Sequence, residues 1–188
     1  MNAGKTTFLL QTAYNYEERG QKVLIIKPAI DIKGEDKIVS RIGLERKVDI
    51  LVNETDSILK KAEPYLDDVN CILVDEAQFL KRDQVDELFF ITKNLEIPVI
   101  TFGLRTDFQT NGFEGAIRLL ELSDSLEEMP TICRCGKKAR FSGRMVDGVL
   151  QTSGRSILID TEKEVKYEAL CGKCYIEKAK NKKDKNIK

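Results

Sequence analysis

Apolar side chains recur along the chain with two different spacings. Leu9, Leu10, Ala13 and Tyr16 fall on one face of a helix, and Gly20 is a suitable end for that helix. Short runs of β-branched and other apolar residues instead predict buried strands. The predicted helices are 8–16, 55–66 (with a proline near its end), 82–95 and 113–122, and the predicted strands are 22–27, 48–52, 71–75 and 97–102.

The order of these elements predicts an α/β fold, because strands that alternate with helices form right-handed crossovers and a mostly parallel sheet. Residues 31–46 mix charges with glycines and are predicted to be a loop. The alternation stops near residue 129, after which β-like runs appear at 138–146 and 156–160. We therefore predict an α/β domain over 1–128, a small β-rich domain over 129–177 and a disordered lysine-rich tail over 178–188.

Composition and charge narrow the possible functions. The 188 residues are 41% hydrophobic and 33% charged, which is enough for a packed core. The 31 basic and 31 acidic residues cancel, so the basic excess typical of nucleic-acid binding is absent. The sequence has no histidine, which excludes catalysis by a histidine base and metal sites that contain histidine ligands. Without a membrane-spanning run or an export signal, we expect a cytoplasmic protein with reduced cysteines.

Gly4-Lys5-Thr6, directly before the first helix, is the distal half of a phosphate-binding loop. Glycine lets backbone N–H groups approach phosphate oxygens, and the helix N-terminus favours an anion. Lys5 is expected to reach the β- and γ-phosphates, and Thr6 to ligate Mg²⁺. The strand and half-loop that normally come first would lie before Met1, so we expect the natural chain to begin upstream. The predicted ATP-binding residues are Asn2, Ala3, Gly4, Lys5, Thr6, Thr7 and Asp75.

An acidic pair follows the predicted strand 71–75. Asp75 and Glu76 reach the C-terminal edge of the sheet, where open α/β folds bind their ligands. Asp75 has the position of a Walker B aspartate and is expected to hold Mg²⁺. Glu76 is then free to act as general base on a hydroxyl nucleophile. Two solvated carboxylates at a strand end are the alternative, which the phosphate-binding loop in the same sheet disfavours.

Four of the five cysteines form two closely spaced pairs, Cys133 with Cys135 and Cys171 with Cys174. Each pair supplies two thiolates from one turn, so the spacing predicts a structural Zn²⁺ site with no open position for substrate. Four unrelated free cysteines, or a redox role for the second pair, are the alternatives. Cys71 lies in a predicted core strand and is expected to pack as a small apolar residue.

Four motifs in this order resemble one family: MNAGKTT at 1–7, LVDEAQFL at 73–80, FGLRTDF at 102–108 and the paired cysteines. Over residues 1–177 the chain resembles the zinc-containing, tetrameric thymidine kinases, especially the bacterial branch. The resemblance implies a P-loop parallel sheet flanked by helices, plus a small β-rich zinc-ribbon or lasso domain. It implies transfer of the ATP γ-phosphoryl group to the 5′-hydroxyl of thymidine in nucleotide salvage. It also implies a homotetramer that binds neither nucleic acid nor membrane.

The resemblance also implies roles for individual residues. Glu76 would take the proton of the 5′-hydroxyl, and Asp31 matches an acidic residue near the phosphates. The implied thymidine site, part of which is a lasso segment that covers the base, consists of Met1, Phe79, Leu104, Phe108, Phe113, Ser142, Ile157, Ile159 and Tyr167.

The chain departs from the family pattern at two further places. Lys33 stands where the family often has arginine, and a lysine cannot make the bidentate phosphate contact of a guanidinium. The stretch 159–167 is longer than usual and lacks the paired glycines of the family, so no contact between 160 and 166 is carried over.

Two other functions agree with parts of the sequence. Another P-loop small-molecule kinase or nucleotide hydrolase with a structural zinc would turn over without thymidine. A non-catalytic zinc-ribbon protein would bind nucleic acid through the lysines of 178–188. The zero net charge and the Asp75-Glu76 pair disfavour the second of these.

Overall fold

The computed structural model describes residues 3–29, 36–40, 42–154 and 165–185, with side chains up to residue 180. Within these ranges the chain forms two compact units. The larger unit consists of Gly4–Arg105 and Phe113–Leu126. The smaller unit consists of the described parts of Met1–Ala3, Thr106–Gly112 and Glu127–Lys188. The segment Thr106–Gly112 therefore groups with the part of the chain that carries the paired cysteines.

A four-stranded parallel sheet flanked by helices forms the larger unit, which confirms the predicted α/β fold. The strand order is β4-β1-β5-β6, and a separate two-stranded hairpin pairs β2 with β3. In chain order the elements are α1 (Lys5–Glu17), β1 (Val23–Pro28), β2 (Lys37–Val39), β3 (Glu45–Lys47), β4 (Ile50–Val52), α2 (Ile58–Ala62), β5 (Cys71–Val74), α3 (Arg82–Asn94), β6 (Val99–Thr101) and α4 (Glu114–Leu122).

Both faces of this sheet are covered, because successive side chains of a strand point to opposite sides. In β1, Ile25 packs with the buried face of α1, which includes Leu9 and Ala13. Its neighbours Leu24 and Ile26 pack on the other face with residues of α2 and α3. Strands buried on both faces read as continuous apolar runs, which is why the sequence identified them.

The smaller unit is built from antiparallel strands and one helix. A three-stranded sheet has the order β10-β9-β11, and β7 pairs with β8. The predicted run 138–146 corresponds to β8 and β9, whereas the predicted run 156–160 lies outside the described residues. The elements are β7 (Thr131–Ile132), β8 (Lys138–Ala139), β9 (Phe141–Val146), β10 (Val149–Leu150), β11 (Val165–Leu170) and α5 (Gly172–Lys185).

Two predicted elements differ from the structure in the larger unit. The predicted loop 31–46 contains the hairpin β2–β3, which turns at Gly43 (φ 86°) and buries Ile38. A single buried residue on a three-residue strand leaves little periodic signal. The predicted helix 55–66 is regular only in α2, whose first turn is capped by the Ser57 hydroxyl. It then tightens into the 3₁₀ turn Glu63–Tyr65, which contains Pro64.

The structure also differs from the prediction near the C-terminus. Helix α5 continues through Lys185, where a disordered tail was predicted from residue 178. Glutamate, alanine and lysine are good helix formers, and Lys173 pairs with Glu177 one turn later at 3.7 Å. A lysine-rich composition alone therefore does not exclude a helix. None of the helices in the described ranges is both long and apolar enough to span a bilayer.

Candidate active site

The predicted phosphate-binding loop ends in a left-handed residue. Gly4 has φ 75° and ψ 16° at the start of α1, a conformation that glycine adopts without steric cost. Its carbonyl accepts the Phe8 N–H at 2.9 Å, so the helix begins at once and directs its first free N–H groups outward. Lys5, Thr6 and Thr7 are half-buried in this first turn. Of the other predicted ATP-binding residues, Ala3 groups with the smaller unit, while Asn2 lies outside the described residues, as does Met1 of the implied thymidine site.

Backbone hydrogen bonds hold the acidic pair at the C-terminal end of β5. The Asp75 N–H donates to the Ile26 carbonyl of β1 at 3.0 Å. The Ala77 N–H donates to the Phe102 carbonyl after β6 at 2.9 Å. The Glu76 N–H donates to Asp75 Oδ1 at 3.0 Å. The pair is therefore fixed between two neighbouring parallel strands, at the edge where such sheets bind ligands.

Asp75 is buried, with 4% of its surface exposed. Burial raises the pKa of its carboxyl to about 6, and the negative charge of Glu76 adds to the rise. The Glu76 N–H and the positive charges of Lys5 and Lys27 act on this pKa in the opposite direction. The positive charge of Lys5 thus acts on the carboxyl of Asp75. A divalent cation would favour the charged carboxylate, so Asp75 fits a Mg²⁺ ligand.

Glu76 has an unusual backbone. Its φ of 49° and ψ of 35° lie in the left-handed region, which costs a non-glycine residue about 1–3 kcal/mol. Backbone strain of this kind concentrates at functional sites, where the surrounding structure enforces it. The half-buried carboxylate accepts a hydrogen bond from Gln78 Nε2 at its Oε2, at 2.6 Å. Glu76 is thus a partly accessible carboxylate with a defined orientation.

Three of the implied thymidine residues lie in the larger unit, close to the corner that Asp75 and Glu76 form at the end of β5. Phe79 and Phe113 are half-buried and contact each other edge to face, with ring centroids 5.3 Å apart. The Leu104 N–H donates to Gln78 Oε1 at 3.0 Å. Gly115 allows the start of α4 to approach the 3₁₀ turn Ala77–Phe79, because a Cβ there would lie 2.8 Å from the Ala77 carbonyl oxygen. Helix α4 and this turn thus bring the two aromatic rings together.

Phe108, in the smaller unit, is held from two sides. The guanidinium of Arg144 on β9 stacks on its ring, with Cζ 3.4 Å from the ring centroid. The hydroxyl of Tyr175 on α5 donates to its carbonyl oxygen at 2.7 Å. Phe108 is only 2% exposed, so its ring packs inside the unit. The contact with Tyr175 joins the segment Thr106–Gly112 to the helix that follows the second cysteine pair.

The strands β9 and β11 carry the two other described residues of the implied thymidine site. Ser142 is buried on β9, and its hydroxyl has no hydrogen-bond partner among the residues that the structure describes. Tyr167 is half-buried on β11 and pairs in register with Arg144. Ile157 and Ile159 lie outside the described residues.

The two cysteine pairs meet in the smaller unit. The sulfur atoms of Cys133, Cys135, Cys171 and Cys174 all lie within 4.8 Å of one another, and Sγ of Cys135 and Cys171 are 3.6 Å apart. A tetrahedral Zn²⁺ site with Zn–S bonds of about 2.3 Å requires S–S separations of about 3.8 Å. The donor set and its size therefore fit Zn²⁺. Cys71 is buried in β5 of the larger unit, in agreement with its expected core position.

The thiols of this cluster differ in acidity. The Cys135 N–H, followed by the Cys171 N–H, lowers the pKa of Cys133 to about 6. The neighbouring sulfurs, Cys135 first, raise the pKa of Cys174 to about 12. Crowded sulfurs resist joint ionisation, because each thiolate disfavours the next. A bound cation would favour the thiolate form of all four.

Sequence reasoning missed three residues that organise these sites. Gln78 is a buried polar residue inside an otherwise apolar turn, which is the signal that would have singled it out. Tyr175 follows the last cysteine directly, and its partner, the Phe108 carbonyl, is distant in sequence. Arg144 occupies an inward position of a strand, where a charge is unusual, and its stacking partner is distant in sequence.

Comparisons with known proteins place the chain in a family. A family model described as thymidine kinase matches residues 1–175. The thymidine kinase of Rhodopirellula baltica is 44% identical over 91% of this chain and 82% of its own length. The thymidine kinase of Enterobacteria phage T4 is 43% identical over 96% of this chain and 93% of its own length. That of Pasteurella multocida is 44% identical over 95% and 93%. The chain belongs to the thymidine kinase family, whose members are phosphotransferases.

Proposed function

We propose that this chain transfers the γ-phosphoryl group of ATP to the 5′-hydroxyl of thymidine, giving dTMP. The observation that carries the proposal is the corner formed by Asp75 and Glu76. It offers a buried carboxylate and a partly accessible one at the C-terminal edge of the sheet, where the positive charge of Lys5 acts on Asp75. Family membership supports thymidine as the acceptor, with ATP and a divalent metal as cosubstrate and cofactor.

Each charged group has a separate role in this reaction. Lys5 and the N-terminus of α1 bind the phosphates, and Asp75 with Thr6 holds Mg²⁺. When bound, Mg²⁺ would supply positive charge that offsets the charge of the phosphates. Glu76 accepts the proton of the 5′-hydroxyl, whose oxygen forms the new bond to the γ-phosphorus while the bond to the β-phosphate oxygen breaks. ADP leaves, and the proton remains on Glu76 until solvent removes it.

Three residues of the larger unit are assigned to thymidine in this proposal. Phe79, Leu104 and Phe113 offer aromatic and aliphatic surface for the nucleoside, next to the proposed base. In the smaller unit, Ser142 is assigned to thymidine because its buried hydroxyl has no hydrogen-bond partner among the described residues. A buried hydroxyl normally has such a partner. Tyr167 and the buried Phe108 are assigned through the resemblance.

The cysteine cluster is proposed to hold a structural Zn²⁺. Four thiolates complete a tetrahedron, so the metal would have no open position for substrate. Its proposed role is to join the turn at Cys133 and Cys135 to the turn between β11 and α5. That link would support the strands that carry Ser142 and Tyr167.

A homotetramer in the cytoplasm is also part of the proposal. Large apolar side chains stay exposed on the helices of the larger unit, among them Phe89 and Phe90 on α3 and Ile117 and Leu120 on α4. Such exposed surface is typical of protein–protein contacts. Light scattering of the purified protein should give four times the 21.4 kDa of one chain.

One coupled assay separates this function from its rivals. ADP production is measured with Mg²⁺ and ATP, in the presence and in the absence of thymidine. We expect turnover only with thymidine. Equal ADP production without the nucleoside would indicate a nucleotide hydrolase, and no ADP under either condition would indicate a kinase for another acceptor or a non-catalytic protein.

A further inference from the structure

Gln78 is a buried polar residue that the proposed mechanism does not use. It lies in the 3₁₀ turn Ala77–Phe79, two positions after Glu76, and is 2% exposed. Its side-chain amide forms two hydrogen bonds within the larger unit. The Leu104 N–H donates to Oε1 at 3.0 Å, and Nε2 donates to Glu76 Oε2 at 2.6 Å.

These two partners leave the amide only one orientation. A backbone N–H can only donate, so the amide oxygen must face Leu104. The NH₂ group then faces the carboxylate of Glu76, which accepts from it. The side chain therefore bridges the backbone that follows β6 and the carboxylate that follows β5.

Gly103 closes the space next to this amide. A Cβ at position 103 would lie 2.9 Å from Gln78 Oε1 and 3.2 Å from the Gln78 nitrogen of the main chain. The backbone at Gly103 thus approaches the amide as closely as a residue without a side chain permits. Burial and this close approach leave little room for another rotamer of Gln78.

The hydrogen bond selects one oxygen of Glu76. Oε2 is occupied by Gln78, while Oε1 has no partner among the residues that the structure describes. We propose that Gln78 is a positioning residue for thymidine phosphorylation, which holds Oε2 of Glu76 so that Oε1 takes the 5′-hydroxyl proton. This inference rests on the proposed function, in which Glu76 is the general base. A general base must be within hydrogen-bond reach of the proton that it accepts, so its orientation limits the rate.

The test compares two buried glutamines. Gln78→Met keeps the length of the side chain and removes both hydrogen bonds. Gln84→Met is the matched control, because Gln84 is 4% exposed and bonds the Asn53 and Asp56 carbonyls and the Lys81 N–H of the same unit. We expect both variants to lower the melting temperature. Only Gln78→Met should lower kcat, by about tenfold to a hundredfold, with an unchanged KM for ATP.

Gln78→Glu is the second variant, measured in addition in case the Gln78→Met variant does not fold. It keeps an acceptor for the Leu104 N–H and places a second carboxyl group against Glu76, which disfavours the charged base, so kcat should fall at least as far as with methionine. The third arm repeats Gln78→Met in a Glu76→Gln background. A residue that acts only through Glu76 causes no further loss there.

Three results would overturn the inference. One is a kcat for Gln78→Met or Gln78→Glu within about threefold of wild type, while Glu76→Gln has lost its turnover. Another is an equal loss from Gln78→Met with and without Glu76, which indicates a structural role only. The third is full activity of Glu76→Gln, or no thymidine-dependent turnover in wild type. That result removes the proposed base itself and the positioning role with it.

Discussion

The acidic corner of the larger unit and the four-cysteine cluster of the smaller unit are ordered in different ways. At the corner, the backbone around Asp75 and Glu76 donates hydrogen bonds to carbonyls of β1 and of the segment after β6, and Gln78 donates to the Glu76 carboxylate. The core of this unit covers both faces of the sheet. In the smaller unit, two of the seven described residues of the core are themselves cysteines of the cluster, Cys133 and Cys171. The fold of the larger unit therefore holds the acidic corner in place. In the smaller unit, the cysteine cluster itself is a large part of the core that stabilises the fold.

This difference implies that the two sites respond differently to damage. A change at the corner should alter chemistry and leave the sheet intact, because many apolar contacts remain. A change at the cluster should alter stability first, because a small core without its metal contains little else. The following predictions test that contrast, from the largest expected effect to the smallest.

Glu76→Gln should lower kcat by about 10²–10⁴-fold and leave ATP binding and the melting temperature nearly unchanged. The amide keeps the size of the side chain but cannot accept the hydroxyl proton. Steady-state kinetics and ATP titration measure both quantities. Glu96→Gln is the matched control, since Glu96 is another glutamate with a left-handed backbone (φ 57°) and is exposed. Half of the wild-type activity in Glu76→Gln would remove it from the role of base.

Cys171→Ser should lower bound zinc from one per chain to close to zero and destabilise the smaller unit. Serine is a poor ligand for Zn²⁺, and metal binding supplies much of the folding free energy of such small domains. Elemental analysis gives the stoichiometry. Hydrogen exchange should show lost protection in β9 and β11 and retained protection in β5. Cys71→Ala is the control and should keep its zinc. A folded wild-type sample without zinc would contradict the metal assignment.

Asp75→Asn should stabilise the protein without ligands by about 1–3 kcal/mol at pH 7.5. The folded-state pKa of about 6 lies above that of an unfolded aspartate, so the folded state binds the proton more tightly. Ionised Asp75 therefore costs stability above pH 6, and this cost disappears as the pH falls from about 6 to 4. The gain from asparagine should shrink over the same window in chemical denaturation. A gain that is independent of pH would contradict the burial of an ionisable group.

Tyr175→Phe should have the smallest effect, about 1 kcal/mol, because it removes one hydrogen bond to the Phe108 carbonyl. If Phe108 contacts thymidine, the KM for thymidine should rise by up to about fivefold while kcat stays constant. Tyr14→Phe is the control, as this tyrosine is 62% exposed. An unchanged KM with a lowered melting temperature would restrict the contact to a structural role.

The sequence predicted most of the larger unit, because its strands are apolar on both faces and its helices are periodic. It also identified the helix start at Gly4, the position of the acidic pair and the grouping of the four cysteines, since each is a short motif. Short motifs carry their chemistry in neighbouring positions, so they need no knowledge of the tertiary structure.

The contacts between distant positions could not be read from the sequence. The side chain of Gln78 accepts a hydrogen bond from the Leu104 N–H, 26 positions later, and the guanidinium of Arg144 stacks on the ring of Phe108. Strand β11 alternates regularly in VKYEAL, but its pairing with β9 depends on a partner that local pattern does not reveal. Helix α5 was missed because composition was given more weight than helix propensity.

The identity of the phosphorylated product tests the central claim most directly. Wild-type protein is mixed with Mg²⁺, ATP and thymidine, and the reaction is followed by ³¹P NMR. The account predicts that the γ-phosphate signal of ATP is replaced by a phosphomonoester signal coupled to the two 5′-methylene protons of thymidine. A signal of inorganic phosphate alone, or a monoester on the 3′-oxygen, would contradict it.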